Sequence, residues 1–449
     1  MAFLPRPKFP FSSATPSWFA GHMARSLREL PQLLDDIHLV IEARDARLPL
    51  TSINTAFDGV LSKWISRGKS KGVERERLVV YTKRDLAEKR FESPLTKAFQ
   101  EHSKQKIIFA DTRSNPDVKE VLYHAVGKSN QVPCYSARAN AEYIPIYNIL
   151  VLGMPNVGKS SLLNALRRVG IKKGKAFRTG AMAGVTRKLT GTVKIFEAPD
   201  VYVFDTPGVM MPYLGKGEEG QEKGLKLGLT AGIKEDLFEL DGMTDYLLWK
   251  MNRRLVSQPQ LPSYLTQLPL PSSTQPTDDL RSLLAVLSDR LAMKSKGGEP
   301  DFESVMTWII KSWREGRFGE WTLDELLPYN AAPHLLEGKQ SQPSVELLES
   351  QRSPEISLDA QVSQTVSSYL ASVAPRSSAD PMAAVSTSQQ RKMDKSRRLH
   401  EKDAKLRAKG INVKKREEWL PGGMVGGKKR GVGVKSMMGT AGRAFRRRG

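Results

Sequence analysis

The chain has 449 residues, 39% of them hydrophobic, and a formal net charge of +22 from 70 Lys/Arg against 48 Asp/Glu. That is enough apolar material for a full core and a second, smaller domain, and a charge balance that suits a polyanion such as nucleic acid or an anionic membrane surface rather than an acidic protein. The single cysteine, Cys134, excludes an internal disulfide and a thiolate zinc cluster, and no apolar run approaches the about 18 residues of a membrane span, so the chain reads as soluble or peripherally attached.

The first 28 residues hold Arg6, Lys8, Arg25 and Arg28 and no acid. This is the composition of a mitochondrial presequence, and residues 1–16 read as a leader. An ordinary basic N-terminus is the alternative, because Pro5, Pro7, Pro10 and Pro16 disfavour a clean amphipathic helix. Met23, Leu27, Leu33, Leu34 and Ile37 make a helical stripe interrupted near Pro31. IHLVIEA (37–43) then reads as a buried strand running into Asp45, Ala46 and Arg47, and a strand ending in charged residues commonly opens a functional loop. RLVVYTKRD (77–85) gives a second strand, followed by a helix to about residue 100. KIIFADT (106–112) gives a third, followed by a helix over 116–126. YNILVLG (147–153) is a fourth buried strand, and SSLLNALRRV (160–169) a helix with Leu162, Leu163 and Leu166 on one face. Residues 172–191 are basic, Gly-rich and without periodicity, as expected of a mobile loop, and VYVFDTPG (201–208) is a further strand. Strands alternating with helices predict a parallel sheet covered on both faces, with ligands at the carboxyl ends of the strands.

Beyond residue 216 the pattern turns helical. Tyr246, Leu247, Met251 and Leu255 form one stripe, and Leu280, Leu283, Leu284, Leu287 and Leu291 a second. Phe302, Val305, Met306, Ile309, Ile310 and Trp313 form a third, at i, i+3, i+4, i+7, i+8 and i+11. A small helical domain is therefore expected over 216–330, with a Pro/Ser/Gln-rich loop at 257–278. Residues 331–390 read as a low-complexity linker with one helix near 358–373. The tail, 391–449, carries 20 Lys/Arg against 5 Asp/Glu, as suits a flexible arm that neutralises phosphates without reading sequence. A solvated tail serving as a nuclear or nucleolar address is the alternative.

GMPNVGKSS (153–161) fits G-x-x-x-x-G-K-[ST]. In such a loop backbone N–H groups wrap a polyphosphate, here through Asn156, Val157, Gly158, Lys159, Ser160 and Ser161; Lys159 reaches the outer phosphates and Ser160 offers its hydroxyl to Mg²⁺. The strand before the loop and the helix after it are what this chemistry needs, because the helix N-terminus carries positive partial charge. TKRD (82–85) resembles the N-K-x-D element that recognises guanine. There Asp85 would accept bonds from the N1–H and N2–H₂ groups, an arrangement adenine cannot offer, and the Lys83 stem would pack over the base. Thr82 stands where asparagine is usual, which weakens the loop bracing to be expected. GVT places Thr186 to close on Mg²⁺ and the γ-phosphate, ahead of Thr179 and Thr190. In DTPG, Asp205 would hold the metal through water and the Gly208 N–H would sense the γ-phosphate. The order is unusual: Asp85 precedes Gly153 by 68 residues, whereas most GTPases place the phosphate loop first. A circular permutation builds the same sheet from either order.

With GHM, DAR, TKRD, GMPNVGKSS, GVT and DTPG in this order over residues 17–325, the chain resembles the circularly permuted GTPases of the YlqF/RbgA type, and most of all their mitochondrial ribosome-associated branch. The resemblance implies an α/β fold: a circularly permuted P-loop GTPase domain over 17–215, mostly parallel sheet with helices on both faces, then a small α-helical RNA-binding domain over 216–330. It implies hydrolysis of GTP to GDP, with Mg²⁺ as cofactor. The implied partners are the large subunit of the mitochondrial ribosome and its ribosomal RNA. The implied location is the mitochondrial matrix, with peripheral attachment to the inner membrane left open, and the implied state a monomer. A cytosolic or nucleolar assembly role is the nearest rival, a signalling GTPase a more distant one. The family also needs a loop that caps the base. Residues 111–113 (Asp111, Thr112, Arg113), with a strand before and a helix after, are preferred to Ser136, Ala137 and Arg138, which match S-A-K by letters. Val209 follows DTPG where many GTPases have a water-orienting glutamine, so slow intrinsic hydrolysis is expected. In similar proteins the histidine of G-H-M has been proposed for that role, which singles out His22; a structural or partner-contacting histidine is the other reading. Asn156 matches the asparagine that holds K⁺ in cation-activated relatives, and stimulation by K⁺ and by ribosomal subunits follows as an expectation.

Overall fold

The computed structural model describes residues 3–11, 21–129, 146–177, 192–206, 208–209, 211, 214–215, 217–233, 238–327, 357–373, 395–399 and 401–403. The chain divides into two units, Met1–Ala379 and Asp380–Gly449. Among the described residues of the second, an exposed Arg397 pairs with Glu401 one helical turn on.

In the first unit, α1 (Gly21–Leu33) leads to β1 (Leu39–Asp45), α2 (Asp58–Ser70), β2 (Glu76–Thr82), α3 (Glu92–Ser103), β3 (Lys106–Ala110), α4 (Asn115–Ser129), β4 (Ile146–Gly153) and α5 (Lys159–Gly170). β5 (Val193–Glu197) and β6 (Asp200–Asp205) complete one sheet of order β3-β2-β1-β4-β6-β5, parallel except for the β5–β6 pair. Alternation along each strand divides the core into two layers. Leu39, Ile41, Leu78, Val80, Ile149 and Val151 face α4 and α5. On the other side, Val40, Leu150 and Leu152 pack on α1 and α2, and Val79, Tyr81, Ile107 and Phe109 on α3. β1 is buried along its whole length although it reads LVIEARD. Its charges are matched internally: Glu42 accepts from Arg44 and from Arg77, each at 2.7 Å, and Tyr81 donates to the Pro49 carbonyl at 2.7 Å.

The expected break at Pro31 does not occur. The helix runs through it to Leu33, without the one intrahelical bond that a proline cannot donate. The sequence also gave no sign of β5, an edge strand in which only Ile195 is fully covered, nor of α6 (Gly217–Leu229), whose four glycines dilute its apolar stripe.

After α6 come α7 (Leu240–Ser257), the short α8 (Tyr264–Gln267), α9 (Leu280–Leu291) and α10 (Phe302–Arg314). Their stripes share one apolar cluster with the α4/α5 face of the sheet. Arg314 of α10 caps the end of α6 by donating to the Leu229 and Gly228 carbonyls at 2.6 and 2.7 Å, which satisfies acceptors that a helix end leaves open. Residues 321–327 then return to the sheet. The Trp321 N–H donates to the Leu86 carbonyl and the Leu323 N–H to the Arg47 carbonyl, both at 2.9 Å. The buried Asp324 carboxylate accepts from the Leu50 and Thr51 N–H groups, each at 2.8 Å.

Two flanking segments pack on this body. Arg6 forms a fork on Asp245 at 2.7 and 3.1 Å, and Phe9 lies edge-on to Tyr246, with ring centroids 5.3 Å apart. A helix stands where one was expected in the linker, α11 (Leu358–Val373). Its Val362 and Val366, one turn apart and both buried, enter the cluster of Leu95 and Phe99, while Asp359 pairs with Lys97 at 2.6 Å.

Candidate functional site

The strand order sets the carboxyl ends of β2, β1, β4 and β6 side by side, so four loops far apart in sequence meet at one edge. The loop after β4 approaches β1 so closely that a Cβ on Gly153 would lie 2.4 Å from the Ala43 carbonyl oxygen, and Gly153 has φ +148°. Only glycine fits there. Lys159, at the first turn of α5, curls over the loop and donates to the Met154 carbonyl at 2.8 Å. It is buried, and that burial pushes its pKa down to about 8 against the pull of Asp205.

Ser160 donates to Asp205 Oδ2 at 2.9 Å. Asp205 is 1% exposed, and its other oxygen, Oδ1, is buried with no hydrogen-bond partner among the described residues. Burial raises this carboxyl above its ordinary value. A hydroxyl beside a carboxylate oxygen that still needs a partner is the hard-oxygen donor set that Mg²⁺ takes, so the residues present fit that ion. Thr206 anchors the β6 end by donating to the Val151 carbonyl at 2.7 Å. Gly208 passes against the phosphate loop, where a Cβ would lie 2.6 Å from Pro155 Cα.

At the end of β2, Lys83 takes a left-handed backbone conformation, φ +57°. Its ammonium donates to Asp45 Oδ2 at 2.8 Å and to the Asn156 carbonyl of the phosphate loop at 2.7 Å. Asp45 also receives a fork from Arg47 at 2.9 and 3.0 Å, and the two cations hold its carboxyl well below the usual range despite its burial. The Thr82 hydroxyl lies within hydrogen-bond reach of the Val157 and Arg44 carbonyls. The single hydroxyl proton serves one of these carbonyls at a time, so threonine supplies part of the bracing that an asparagine amide would give.

Asp85 sits in a short 3₁₀ turn, Arg84–Leu86, facing the loop after β3. Arg113 bridges the two, pairing with Asp85 and donating from its Nε to Asp111 Oδ1 at 3.2 Å. Burial and the neighbouring Asp111 raise the Asp85 carboxyl, and Arg113 opposes them. The loop is fixed from behind, since the Asp111 N–H donates to Asp117 at 2.9 Å and Arg168 to the Thr112 carbonyl at 3.0 Å. Thr82, Lys83, Asp85, Asp111, Thr112, the phosphate loop, Asp205 and Gly208 thus line one edge of the sheet. Thr179, Thr186, Thr190 and residues 136–138 lie outside the described residues, as does the His22 side chain, although its backbone opens α1.

Val209 does not face this site. It is 3% exposed, in a cluster with Leu30 of α1, Leu34 just beyond that helix and Trp64 of α2, and the Asn54 amide donates to its carbonyl at 2.7 Å. Val209→Gln should therefore leave turnover unaccelerated and cost about 1–3 kcal/mol for an amide without partners; a thermal melt and a phosphate-release assay on one preparation check both. Asn54 and Asp324 were not among the expected site residues. Each acts alone, at a position no motif marks.

A family model described as "50S ribosome-binding GTPase" matches residues 148–246. The Mitochondrial ribosome-associated GTPase 1 of Xenopus tropicalis is 30% identical over 336 residues, spanning 72% of this chain and 99% of that protein. Mitochondrial GTPase 1 of Schizosaccharomyces pombe is 31% identical over 73% of this chain and 94% of its own length. A crystal structure of GNP-bound YlqF from T. maritima is similar over 66% of this chain and 95% of that one, with 18% identity and a TM-score of 0.41. With TKRD preceding GMPNVGKSS in sequence and the strands that carry them set on either side of β1 in one sheet, the chain belongs to the family of mitochondrial ribosome-associated GTPases, and it is a circularly permuted GTPase.

Proposed function

We infer that this GTPase serves in maturation of the large subunit of the mitochondrial ribosome, docking on ribosomal RNA in its GTP form and leaving in its GDP form. The observation that carries the enzymatic part is the pair of contacts from β2 to the phosphate loop, Lys83 to the Asn156 carbonyl and Thr82 to the Val157 carbonyl. They make one pocket from two distant stretches. The ribosomal part is supported by the names of the relatives and of the matching family and by the net charge of +22. The same names support a mitochondrial location, which we place in the matrix. No helix among the described residues is long and apolar enough to cross a membrane, and we read the protein as a monomer.

In this reading Asp85 selects guanine, residues 111–113 cap the base, and the loop N–H groups with Lys159 bind the phosphates. Ser160 and Asp205, with Thr186, would hold Mg²⁺, which neutralises charge on the phosphate oxygens when bound. Gly208 offers its N–H to the γ-phosphate. The role that Val209 cannot fill falls to His22, which would orient the attacking water. Asn156 would hold K⁺, adding positive charge near the leaving phosphates.

Turnover measured with and without mitochondrial large subunits, in K⁺ and in Na⁺, tests the reading. Subunits and K⁺ should each raise the rate, and co-sedimentation with subunits should require a non-hydrolysable GTP analogue. Asn156 has φ +57°, so Asn156→Gly is the informative variant: it keeps the backbone unstrained and should lose the preference for K⁺. A rate indifferent to subunits, with no nucleotide-dependent sedimentation, would remove the ribosomal role.

A further inference from the structure

A cleft of about 330 Å³ lies between the last turns of α7, residues 88–91 and residues 321–327, away from the phosphate loop. Its centre is one carboxylate oxygen. Glu325 Oε1 accepts from Lys250 Nζ and from Arg253 Nη1, both at 2.8 Å. The cations are largely buried, Lys250 at 8% and Arg253 at 13% side-chain exposure, whereas Glu325 is 48% exposed. Glu325 is therefore the loosest member of the group.

The cations keep their places without it. The Arg253 guanidinium lies over the Trp249 ring at 4.7 Å, and Lys250 has Glu222 at 3.2 Å as a second partner. Next to them, Arg254 lies over Trp321 at 4.0 Å, with its Nε buried and without a hydrogen-bond partner among the described residues. Of the other two carboxylates of the cleft, Glu88 pairs with Arg90 and lies 3.9 Å from Arg254, and Asp324 binds the Leu50 and Thr51 N–H groups. Without Glu325 the cleft has a surplus of oriented donors that a single phosphate matches in charge and shape.

We propose that this cleft is a seat for one phosphate of an unpaired RNA strand, taken when Glu325 swings out, so that Glu325 is a built-in competitor for the site. A volume near 330 Å³ suits one nucleotide. The proposal rests on RNA being the partner and adds where and how the helical domain grips it. The segment is also mechanically connected, because Trp321 is bonded to Leu86, the residue after Asp85.

The test uses the full chain with a non-hydrolysable GTP analogue and a short, fluorescently labelled single-stranded RNA, titrated at several KCl concentrations. Arg253→Gln should weaken binding roughly tenfold and lower the salt slope by about 1. Glu325→Gln should tighten binding severalfold, a sign that a merely structural ion pair would not produce. Neither should alter the affinity for a fluorescent GTP analogue, which with a thermal melt certifies the fold. RNA carrying 4-thiouridine should crosslink to peptides spanning residues 249–258 or 321–327 in the wild type and lose that adduct in Arg253→Gln. Wild-type binding with both variants unchanged, or both weakened alike, would overturn the cleft and leave the RNA reading standing. A wild type that binds neither RNA nor large subunits would overturn both.

Discussion

Asp85→Ala should weaken GTP binding on the order of 10²-fold and leave ATP binding almost untouched. Guanine presents two donors to one carboxylate, and each hydrogen bond to a charged acceptor is worth about 1.5–3 kcal/mol; adenine offers no such pair. Asp85 is placed for this work at the end of β2, its backbone held in the Arg84–Leu86 turn by the bond from the Leu86 N–H to the Lys83 carbonyl at 3.0 Å. Asp85→Asn should go further and convert the preference, since the side-chain amide can donate to the 2-oxo group that xanthine carries in place of the guanine amine. Titrations of wild type and both variants with fluorescent GTP, ATP and XTP measure this. Unchanged GTP-over-ATP discrimination in Asp85→Ala would mean that the base is read elsewhere.

The second large effect couples activity to stability with opposite signs. Lys159→Met should reduce GTP hydrolysis on the order of 10³-fold, the loss expected when a preorganised cation at the transferring phosphate is removed. Without nucleotide it should nevertheless melt higher. In the folded chain the Lys159 ammonium is buried and bonded to one neutral carbonyl, Met154, and burial outweighs the attraction of Asp205, as its lowered pKa shows. Removing a buried charge bonded only to a neutral carbonyl should raise the melting temperature, in line with the usual opposition between active-site function and stability. Calorimetry should show the order reversed at saturating GTP with Mg²⁺, because the wild type then gains ligand binding that the variant has lost. A variant less stable than wild type in the absence of nucleotide would mean that Lys159 is a structural cation.

Much of this site was legible because its chemistry is local. A phosphate loop needs glycines at fixed offsets, a strand before it and a helix after it, and those needs are written within residues 147–169. TKRD and DTPG could be read in the same way, and the position of TKRD ahead of the phosphate loop was enough to indicate the permutation. What stayed hidden is made by single side chains acting over long separations. Asp324 binds N–H groups more than 270 positions away, and Asn54 holds the Val209 carbonyl; neither belongs to a periodic or spaced pattern. Thr82 illustrates a related point. The motif fixes which bond is needed, but not which side chain can reach it, and here a hydroxyl suffices because the phosphate loop comes so near that a Cβ on Gly158 would lie 3.3 Å from Thr82 Oγ1.

The sheet order has a consequence during synthesis. β1 lies between β2 and β4, but β1 ends at Asp45 and β4 begins only at Ile146, so the nascent chain delivers one neighbour long before the other. At about 5–20 residues per second, the far flank of this wholly buried strand waits roughly 5–20 s for its partner. An unpaired strand flank is a template for pairing with other chains. Production should therefore depend on a folding chaperone at the ribosome exit more than it would for a GTPase whose central strands are made in succession.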